Sequence, residues 1–210
     1  MICNLCPRRC GVLRTETEGE GWCRMPALPV AARAALHHWE EPPISGKRGS
    51  GTVFFSGCSL GCVFCQNEAI SHRDFGKALT VPRLREICLE LIRQGAHNIN
   101  FVNPTHYAHI VRQVLEEPLP VPVVWNTGGY DRVETLRALE GRVDVYLPDS
   151  GLGCLRIVGG AGIPPCGVAG QIFQVGQIDL DLSLQSPQGV YPVVSSGVPH
   201  HRDGLGVLLQ

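Results

Sequence analysis

Three cysteines crowd into one short stretch of the chain, GCSLGCVFCQN, at residues 57–67. Cys58, Cys62 and Cys65 have the spacing Cys-x3-Cys-x2-Cys. Four thiolates close a tetrahedral zinc site or saturate a four-iron cluster, whereas three thiolates on a cubane leave one iron able to take an outside ligand. The spacing therefore favours an open, reactive iron-sulfur centre. The alternative is a zinc site that borrows a fourth ligand, such as a histidine.

A second group of cysteines lies near the N-terminus. Cys3, Cys6, Cys10 and Cys23 have the spacing Cys-x2-Cys-x3-Cys-x12-Cys. Four thiol ligands suit zinc or a second iron-sulfur cluster, because they complete a closed site. The alternative is that they are free cysteines packed in a core, which is what we expect of Cys88 on the apolar face of a predicted helix. The spacing is compatible with both.

The elements that must position these cysteines have the pattern of βα units. From residue 51 the chain alternates short apolar runs with amphipathic stretches, which is typical of a parallel sheet. We predict strands at residues 52–56, 98–102, 121–126 and 143–147, and helices at about residues 80–95, 105–117 and 131–140. Cys58 directly follows the first strand. The cysteine loop is therefore expected at the carboxyl edge of the sheet, where α/β folds place their sites.

Several polar and glycine residues follow the second and third predicted strands. They are Asn103, Thr105, His106, Asn126, Gly128 and Tyr130. Because the carboxyl ends of parallel strands meet at one edge of a sheet, we expect these residues to face the cysteine loop. The alternative is that Thr105 is a helix cap and Asn126 a turn former.

Length and composition bound the class of protein. The chain has 210 residues, a formal net charge of -1 and a hydrophobic fraction of 44%. This length suits one domain with a substantial core, and without a basic surplus we expect no nucleic-acid partner. No apolar run approaches the roughly 20 residues of a membrane span, so we predict a cytoplasmic protein with no membrane partner. Ten cysteines in a reducing compartment indicate metal or redox chemistry rather than disulfides.

The cysteine loop and several further segments resemble one enzyme superfamily. Cys58, Cys62 and Cys65, with the aromatic Phe64 before the last cysteine, resemble the cluster motif of the radical S-adenosylmethionine (SAM) enzymes. The other matching segments are CNLCPRRCGV, ALHHWEEPPISG, GTVFFSGC, GAHNINFVNPTHY, NTGGY and VDVYLPD. Together they cover residues 1–149. They are similar to an uncharacterised branch of the superfamily related to the pyruvate formate-lyase activating enzyme.

The resemblance implies a fold, cofactors and a reaction. It implies an α/β fold, a partial (β/α)6 TIM-like barrel, with a [4Fe-4S] cluster on the three loop cysteines and S-adenosyl-L-methionine at the open iron. The implied reaction is reductive cleavage of SAM to a 5′-deoxyadenosyl radical, which abstracts a hydrogen atom from a small substrate or activates a glycyl-radical protein. A flavodoxin or ferredoxin is the implied electron donor. The alternative is a non-catalytic zinc or iron-sulfur binding module, or a truncated, inactive remnant.

The resemblance also implies cofactor-binding residues. In relatives an Asn-Gly element after the third strand and an Asp after the fourth line the SAM pocket, and these map onto Asn126 and Asp149. We expect Phe64 and Asn103 to contribute to the same pocket. The sequence does not single out a catalytic residue.

Three parts of the chain differ in composition. Residues 1–50 are interpreted as a Cys-rich N-terminal extension, 51–149 as the radical SAM core and 150–210 as an atypical tail. The tail is rich in glycine and lacks lysine and glutamate, and at its start the resemblance stops where relatives continue with an Asp-x-Lys element and further βα units. We expect an irregular tail and a barrel that is incomplete after the fourth strand. The tail is either an out-of-frame product or a genuine alternative ending.

Overall fold

A computed structural model of the chain describes residues 1–63, 65–72, 75–148 and 173–174. The predicted SAM contacts Phe64 and Asp149 lie outside these residues, and so does the tail predicted to be irregular, apart from residues 173–174. Among the helices of the described residues, none is both long and apolar enough to cross a membrane.

A mixed β-sheet forms the centre of the described structure. Its strands are β1 (Val30–His37), β2 (Ser50–Phe55), β3 (Lys77–Ala78), β4 (Ile99–Val102), β5 (Val123–Thr127), β6 (Val145–Pro148) and β7 (Phe173–Gln174). Their order across the sheet is β3-β1-β2-β4-β5-β6-β7. Strands β2, β4, β5 and β6 pair in parallel, whereas the β1 to β2, β1 to β3 and β6 to β7 pairs are antiparallel. The four strands predicted for the βα units are therefore neighbours, and closure into a barrel stays a prediction.

Short helices link the strands. They are α1 (Pro42–Ser45), α2 (Glu68–Ser71), α3 (Val81–Arg93), α4 (Ala108–Val114) and α5 (Val133–Arg137), with a 3-10 turn at Thr105–Tyr107 before α4. The longest, α3, begins after Thr80, whose hydroxyl oxygen accepts a hydrogen bond from the Arg83 backbone N–H at 3.3 Å. This cap satisfies one of the unpaired amides of the first turn, as the sequence predicts. Cys88 is fully buried on the apolar face of α3.

Strand β1 ties the N-terminal part of the chain to the sheet. It lies within residues 1–50 and pairs with β2 from Ala31 opposite Phe55 to His37 opposite Ser50. Alanine is depleted in strands, so the local sequence VAARAALH gives a weak strand signal. Pairing with β2 on one side and β3 on the other overrides this weak preference.

The two faces of the parallel strands differ in character. The main core covers one face, where Phe55, Phe101 and Trp125 are buried together with the apolar sides of α3 and α4. The Phe55 and Phe101 rings stack with centroids 6.0 Å apart. The other face carries the buried polar side chains of Thr52 and Asn100. Val124 of β5 pairs with Asn100, so its side chain points to the same face. Asn126 lies two residues further along β5 and is therefore on this second face as well.

Candidate metal centre

The three loop cysteines lie at the carboxyl end of β2. The loop between β2 and α2 carries all three, and each is partly exposed and free of disulfide bonds. The Leu60 backbone N–H donates a hydrogen bond to Cys58 Sγ at 3.3 Å, and the Cys65 thiol donates to Ser71 Oγ at 3.5 Å. The loop closes on itself where the Gly57 N–H bonds to the Ile70 carbonyl oxygen at 2.9 Å.

The pKa of the Cys58 thiol depends on the two other thiols of the loop. Burial raises the pKa of the Cys58 thiol, the backbone N–H groups of Gly61 and Leu60 lower it, and the neighbouring Cys62 and Cys65 raise it further. The neighbouring thiols therefore disfavour a thiolate at Cys58, and a bound cation would remove this penalty. In the described part of the chain, no group of three or more Cys, His, Asp or Glu side chains has ligand geometry for a metal ion. The donor set itself fits an iron-sulfur cluster, because thiolates are its usual ligands.

The N-terminal segment packs directly on the cysteine loop at two glycines. Gly57 and Gly61, each immediately before a cysteine, have positive φ angles of 76° and 71°. A Cβ atom at Gly57 would overlap Met25 Cγ and lie 3.0 Å from the Cys23 carbonyl oxygen. A Cβ at Gly61 would lie 3.0 Å from the Trp22 ring. Both positions thus require glycine for backbone conformation and for space.

Arg8 connects the same two segments through hydrogen bonds. Its Nε donates to the Ser59 carbonyl oxygen at 2.9 Å and its Nη2 to the Leu60 carbonyl oxygen at 2.8 Å. The guanidinium also lies 3.9 Å from the centroid of the Trp22 ring and 5.8 Å from that of Tyr130. Arg8 is part of the CPRRC segment, but nothing in the cysteine spacing predicts this contact.

Asn103 joins the end of β4 to the cysteine loop. Its Nδ2 donates to the Gly57 carbonyl oxygen at 2.6 Å, and the Cys58 thiol donates to its Oδ1 at 3.6 Å. Asn103 has a φ of 55°, a conformation that asparagine tolerates better than most residues. His106 contacts the loop as well, with its Nε2 2.7 Å from the Ser56 carbonyl oxygen. The structure thus brings both predicted residues to the cysteine loop, while their contact with SAM stays a prediction.

The end of β5 also contacts the loop. Asn126 lies inside β5 rather than in a turn, and its carbonyl oxygen accepts a 2.8 Å hydrogen bond from the Asn103 N–H. A Cβ atom at Gly128 would overlap the Leu60 side chain, so this glycine lies against the loop. The SAM contact of Asn126 stays a prediction.

A half-buried carboxylate not predicted from the sequence links the ends of β4 and β5. Asp131 accepts hydrogen bonds from the Thr105 hydroxyl at 2.7 Å and from the Thr127 hydroxyl at 2.6 Å. Burial raises the pKa of Asp131, and these hydroxyls lower it in part. Thr105 therefore bonds to Asp131, and the N-cap position of α4 belongs to Tyr107. The sequence feature that could have indicated Asp131 is its position directly after the NTGGY segment.

A cleft of about 460 Å³ lies at the opposite end of the strands. Its lining includes residues 118–123, which lead into β5, and Asp144, which precedes β6. These residues stand at the amino ends of the parallel strands. The cleft is therefore separate from the cysteine loop.

Comparison with known proteins adds one distant relationship. No family model matches the chain, and no solved structure matches it. The chain is 38% identical over 156 residues to the uncharacterized protein MJ0674 of Methanocaldococcus jannaschii. The alignment covers 70% of this chain and 44% of that protein, so the chain spans less than half of the relative's length.

Proposed function

We propose that the chain is a radical SAM iron-sulfur protein that reductively cleaves S-adenosyl-L-methionine to a 5′-deoxyadenosyl radical. The observation that carries this proposal is the position of Cys58, Cys62 and Cys65 on one loop at the carboxyl end of the first parallel strand. Residues from β4 and β5 pack against the same loop. In α/β folds, ligands bind where such strand ends and loops meet.

The loop cysteines would hold a [4Fe-4S] cluster, which when bound supplies one electron and an iron open to an outside ligand. The Leu60 N–H stabilises a thiolate at Cys58 through its hydrogen bond to the sulfur. Asn103 holds the start of the loop through the Gly57 carbonyl oxygen. We propose Phe64, Asn103, Asn126 and Asp149 as SAM-binding residues on the strength of the motif resemblance.

The partners follow from the same proposal. A flavodoxin or ferredoxin would supply the electron in the cytoplasm, and the hydrogen donor would be the glycine of a glycyl-radical protein or a small substrate.

The first test is metal analysis after anaerobic reconstitution with iron and sulfide. The cluster on the loop of the unaltered chain should account for about four bound iron ions and four bound sulfide ions. The Cys58→Ala, Cys62→Ala, Cys65→Ala triple variant should lose this iron and sulfide and should no longer bind SAM. Cys88→Ala is the matched control, because Cys88 is buried in the α3 core and outside both cysteine groups. A Cys3→Ala variant separates any contribution of the N-terminal thiols. Full iron and SAM binding in the triple variant would refute the assignment.

The second test is cleavage of SAM. The reduced, reconstituted protein should release 5′-deoxyadenosine from SAM even without its natural substrate, as measured by chromatography. The triple variant and a protein-free mixture are the controls. An intact cluster with no product above these controls would instead favour the non-catalytic binding module.

A further inference from the structure

The four N-terminal cysteines form a second thiol cluster, next to the cysteine loop but distinct from it. Cys3 and Cys6 are buried, with exposed fractions of 6% and 7%. The Cys3 N–H bonds to the Val12 carbonyl oxygen at 2.9 Å, and the Arg9 N–H bonds to the Cys6 carbonyl oxygen at 3.1 Å. The second bond closes a tight turn after Cys6. Both cysteines are thus fixed by backbone hydrogen bonds.

Cys10 reaches the backbone that leads into Cys23. The Trp22 N–H donates a hydrogen bond to Cys10 Sγ at 3.5 Å, and a Cβ atom at Gly21 would also lie 3.5 Å from this sulfur. Cys10 and Cys23 are therefore brought together although 12 residues separate them in the chain. The pKa of the Cys6 thiol is raised by burial first, and also by Cys3, Cys10 and Cys23. The thiols of Cys3, Cys10 and Cys23 therefore lie close enough to Cys6 to interact with it electrostatically.

A buried cation stands beside these thiols. Arg14 has an exposed fraction of 1%. Its guanidinium donates hydrogen bonds to the Pro26 carbonyl oxygen and, at 2.8 Å, to the His106 carbonyl oxygen. It also donates to Cys3 Sγ at 3.7 Å. None of the ion pairs found among the described residues gives Arg14 a carboxylate partner. A buried charge without a counter-charge is costly, so this position calls for an anion. Cys3 Sγ is the sulfur that this guanidinium contacts.

We propose that Cys3, Cys6, Cys10 and Cys23 bind one Zn²⁺ ion in a closed tetrathiolate site, with Arg14 as the neighbouring counter-charge. Four thiolates around one Zn²⁺ carry a net charge of about -2, which compensates the buried guanidinium. A single ion suits this location better than a cubane cluster, because Cys3 and Cys6 are already enclosed by the fold. No described group of three side chains has ligand geometry, so zinc binding at this site would require the four sulfurs to approach one another.

The proposed zinc site would order the segment that supports the cysteine loop. Between Cys3 and Cys10, Arg8 bonds to the loop, the Asn4 carbonyl oxygen accepts from Arg132, and the Leu5 carbonyl oxygen accepts from the Thr135 hydroxyl at 2.7 Å. The segment therefore links the cysteine loop to the region of α5. This structural role does not depend on the reaction proposed for the loop.

Zinc content of the full chain tests the proposal. After expression with zinc in the medium and purification under reductant without oxygen, the chain should carry about one zinc ion, and so should Cys88→Ala and the Cys58, Cys62, Cys65 triple variant. Cys6→Ser and Cys23→Ser should each lose most of it. Cobalt(II) bound in place of zinc should give the thiolate charge-transfer bands of a tetrahedral site, also in the triple variant. Absence of zinc from the unaltered chain, full zinc in both serine variants, or iron and sulfide at these cysteines in the triple variant would overturn the proposal.

A second pair of variants guards against misfolding of the cysteine variants. Arg14→Lys keeps the charge, whereas Arg14→Leu removes it with a similar apolar volume. Zinc release to a coloured chelator should be at least about tenfold faster from Arg14→Leu than from the unaltered chain, and Arg14→Lys should lie between them. Circular dichroism checks that both variants are folded. Equal release from all three proteins would refute the role of Arg14 as counter-charge.

Discussion

Arg8 donates a 2.8 Å hydrogen bond from Nη2 to the carbonyl oxygen of Leu60, although the two residues are 52 positions apart. Leu60 in turn donates its backbone N–H to Cys58 Sγ. The guanidinium of Arg8 therefore fixes Leu60, the residue whose backbone contacts the predicted cluster ligand Cys58. The N-terminal segment is in this sense part of the support of the cysteine loop.

Replacing Arg8 with alanine should loosen the cysteine loop. The change removes two hydrogen bonds from a charged donor to partly buried carbonyl oxygens, so the free energy of unfolding should fall by about 1–3 kcal/mol. Denaturant unfolding measures this fall. In the reconstituted protein, iron should also be lost to a chelator faster than from the unaltered chain.

Arg9→Ala is the matched control for Arg8→Ala, because Arg9 is the adjacent arginine and is exposed. Arg8→Lys should be intermediate, since an ammonium group lacks the planar fork that bonds two carbonyl oxygens at once. Identical behaviour of Arg8→Ala and Arg9→Ala would show that Arg8 does not support the loop.

A methyl group at Gly57 should disturb the contact between the N-terminal segment and the loop. Gly57→Ala places a residue with a side chain at positive φ and drives its Cβ into Met25, so we expect a loss of about 2–4 kcal/mol in the free energy of unfolding. Gly141 has nearly the same φ, 72°, but no atom within 4 Å of the added Cβ. Gly141→Ala should therefore cost only the backbone strain, about 1 kcal/mol. Equal losses in denaturant unfolding would mean that the Met25 contact is not tight.

The helix α3 was predictable because its signals are local. Thr80 begins it, Leu84, Ile87 and Leu91 form its buried stripe, and Gly95 follows its end at a φ of 102°. The central parallel strands were predictable for the same reason, since they are short apolar runs that lie on a buried sheet. Strand β1 was not predicted, because its alanines have weak strand preference and only pairing with β2 and β3 determines its conformation.

The place of the three cysteines in the fold was predictable from the sequence, but the contacts that support their loop were not. The spacing of Cys58, Cys62 and Cys65 is visible in the sequence, and the position after a strand follows from the βα pattern. The contacts of Arg8 and Arg14 are long-range and depend on how the N-terminal segment folds back, which no periodicity records. The bond of Thr105 to Asp131 likewise arises only because the ends of β4 and β5 are neighbours.

Asn103 should contribute to the site through both its side chain and its backbone conformation. Asn103→Ala removes the bond to the Gly57 carbonyl oxygen and is poorly suited to a φ of 55°, so the free energy of unfolding should fall by about 2–3 kcal/mol. Asn103→Gly relieves the backbone strain but still lacks the amide, so its loss should be about 1 kcal/mol smaller. Denaturant unfolding compares the two. If glycine were no better than alanine, backbone strain would not contribute at this position.

Asn103→Asp offers a spectroscopic test of the distance between Asn103 and Cys58. The substitution replaces a neutral amide with a carboxylate beside the Cys58 thiol and removes the donor to Gly57. A negative charge near a thiolate disfavours it, so iron binding by the reconstituted loop should weaken. Iron content and the electron paramagnetic resonance signal of the reduced protein should both fall relative to Asn103→Gly. Unchanged values would indicate that Asn103 does not face Cys58.

The burial of His106 should make stability depend on pH. The pKa of His106 is lowered to about 3, first by burial in the core and then by the nearby charges of Arg14 and His109, while the Ser56 carbonyl oxygen opposes the shift. Between this value and the usual pKa of about 6.5, the unfolded chain binds a proton at this residue that the folded chain does not. The stabilising contribution of the neutral imidazole is therefore complete above about pH 6.5 and is lost progressively as the pH falls toward 3.

The expected size of this effect follows from linkage. From pH 7.5 to pH 5.0, His106 alone should reduce the free energy of unfolding by about 2 kcal/mol, and His106→Gln should remove that dependence even if it lowers stability at every pH. Denaturant unfolding at several pH values measures the slope, which is independent of the absolute stability of the variant. His72→Gln is the matched control for replacing a histidine, because His72 is exposed. Parallel pH profiles for the unaltered chain and His106→Gln would contradict a neutral, buried His106.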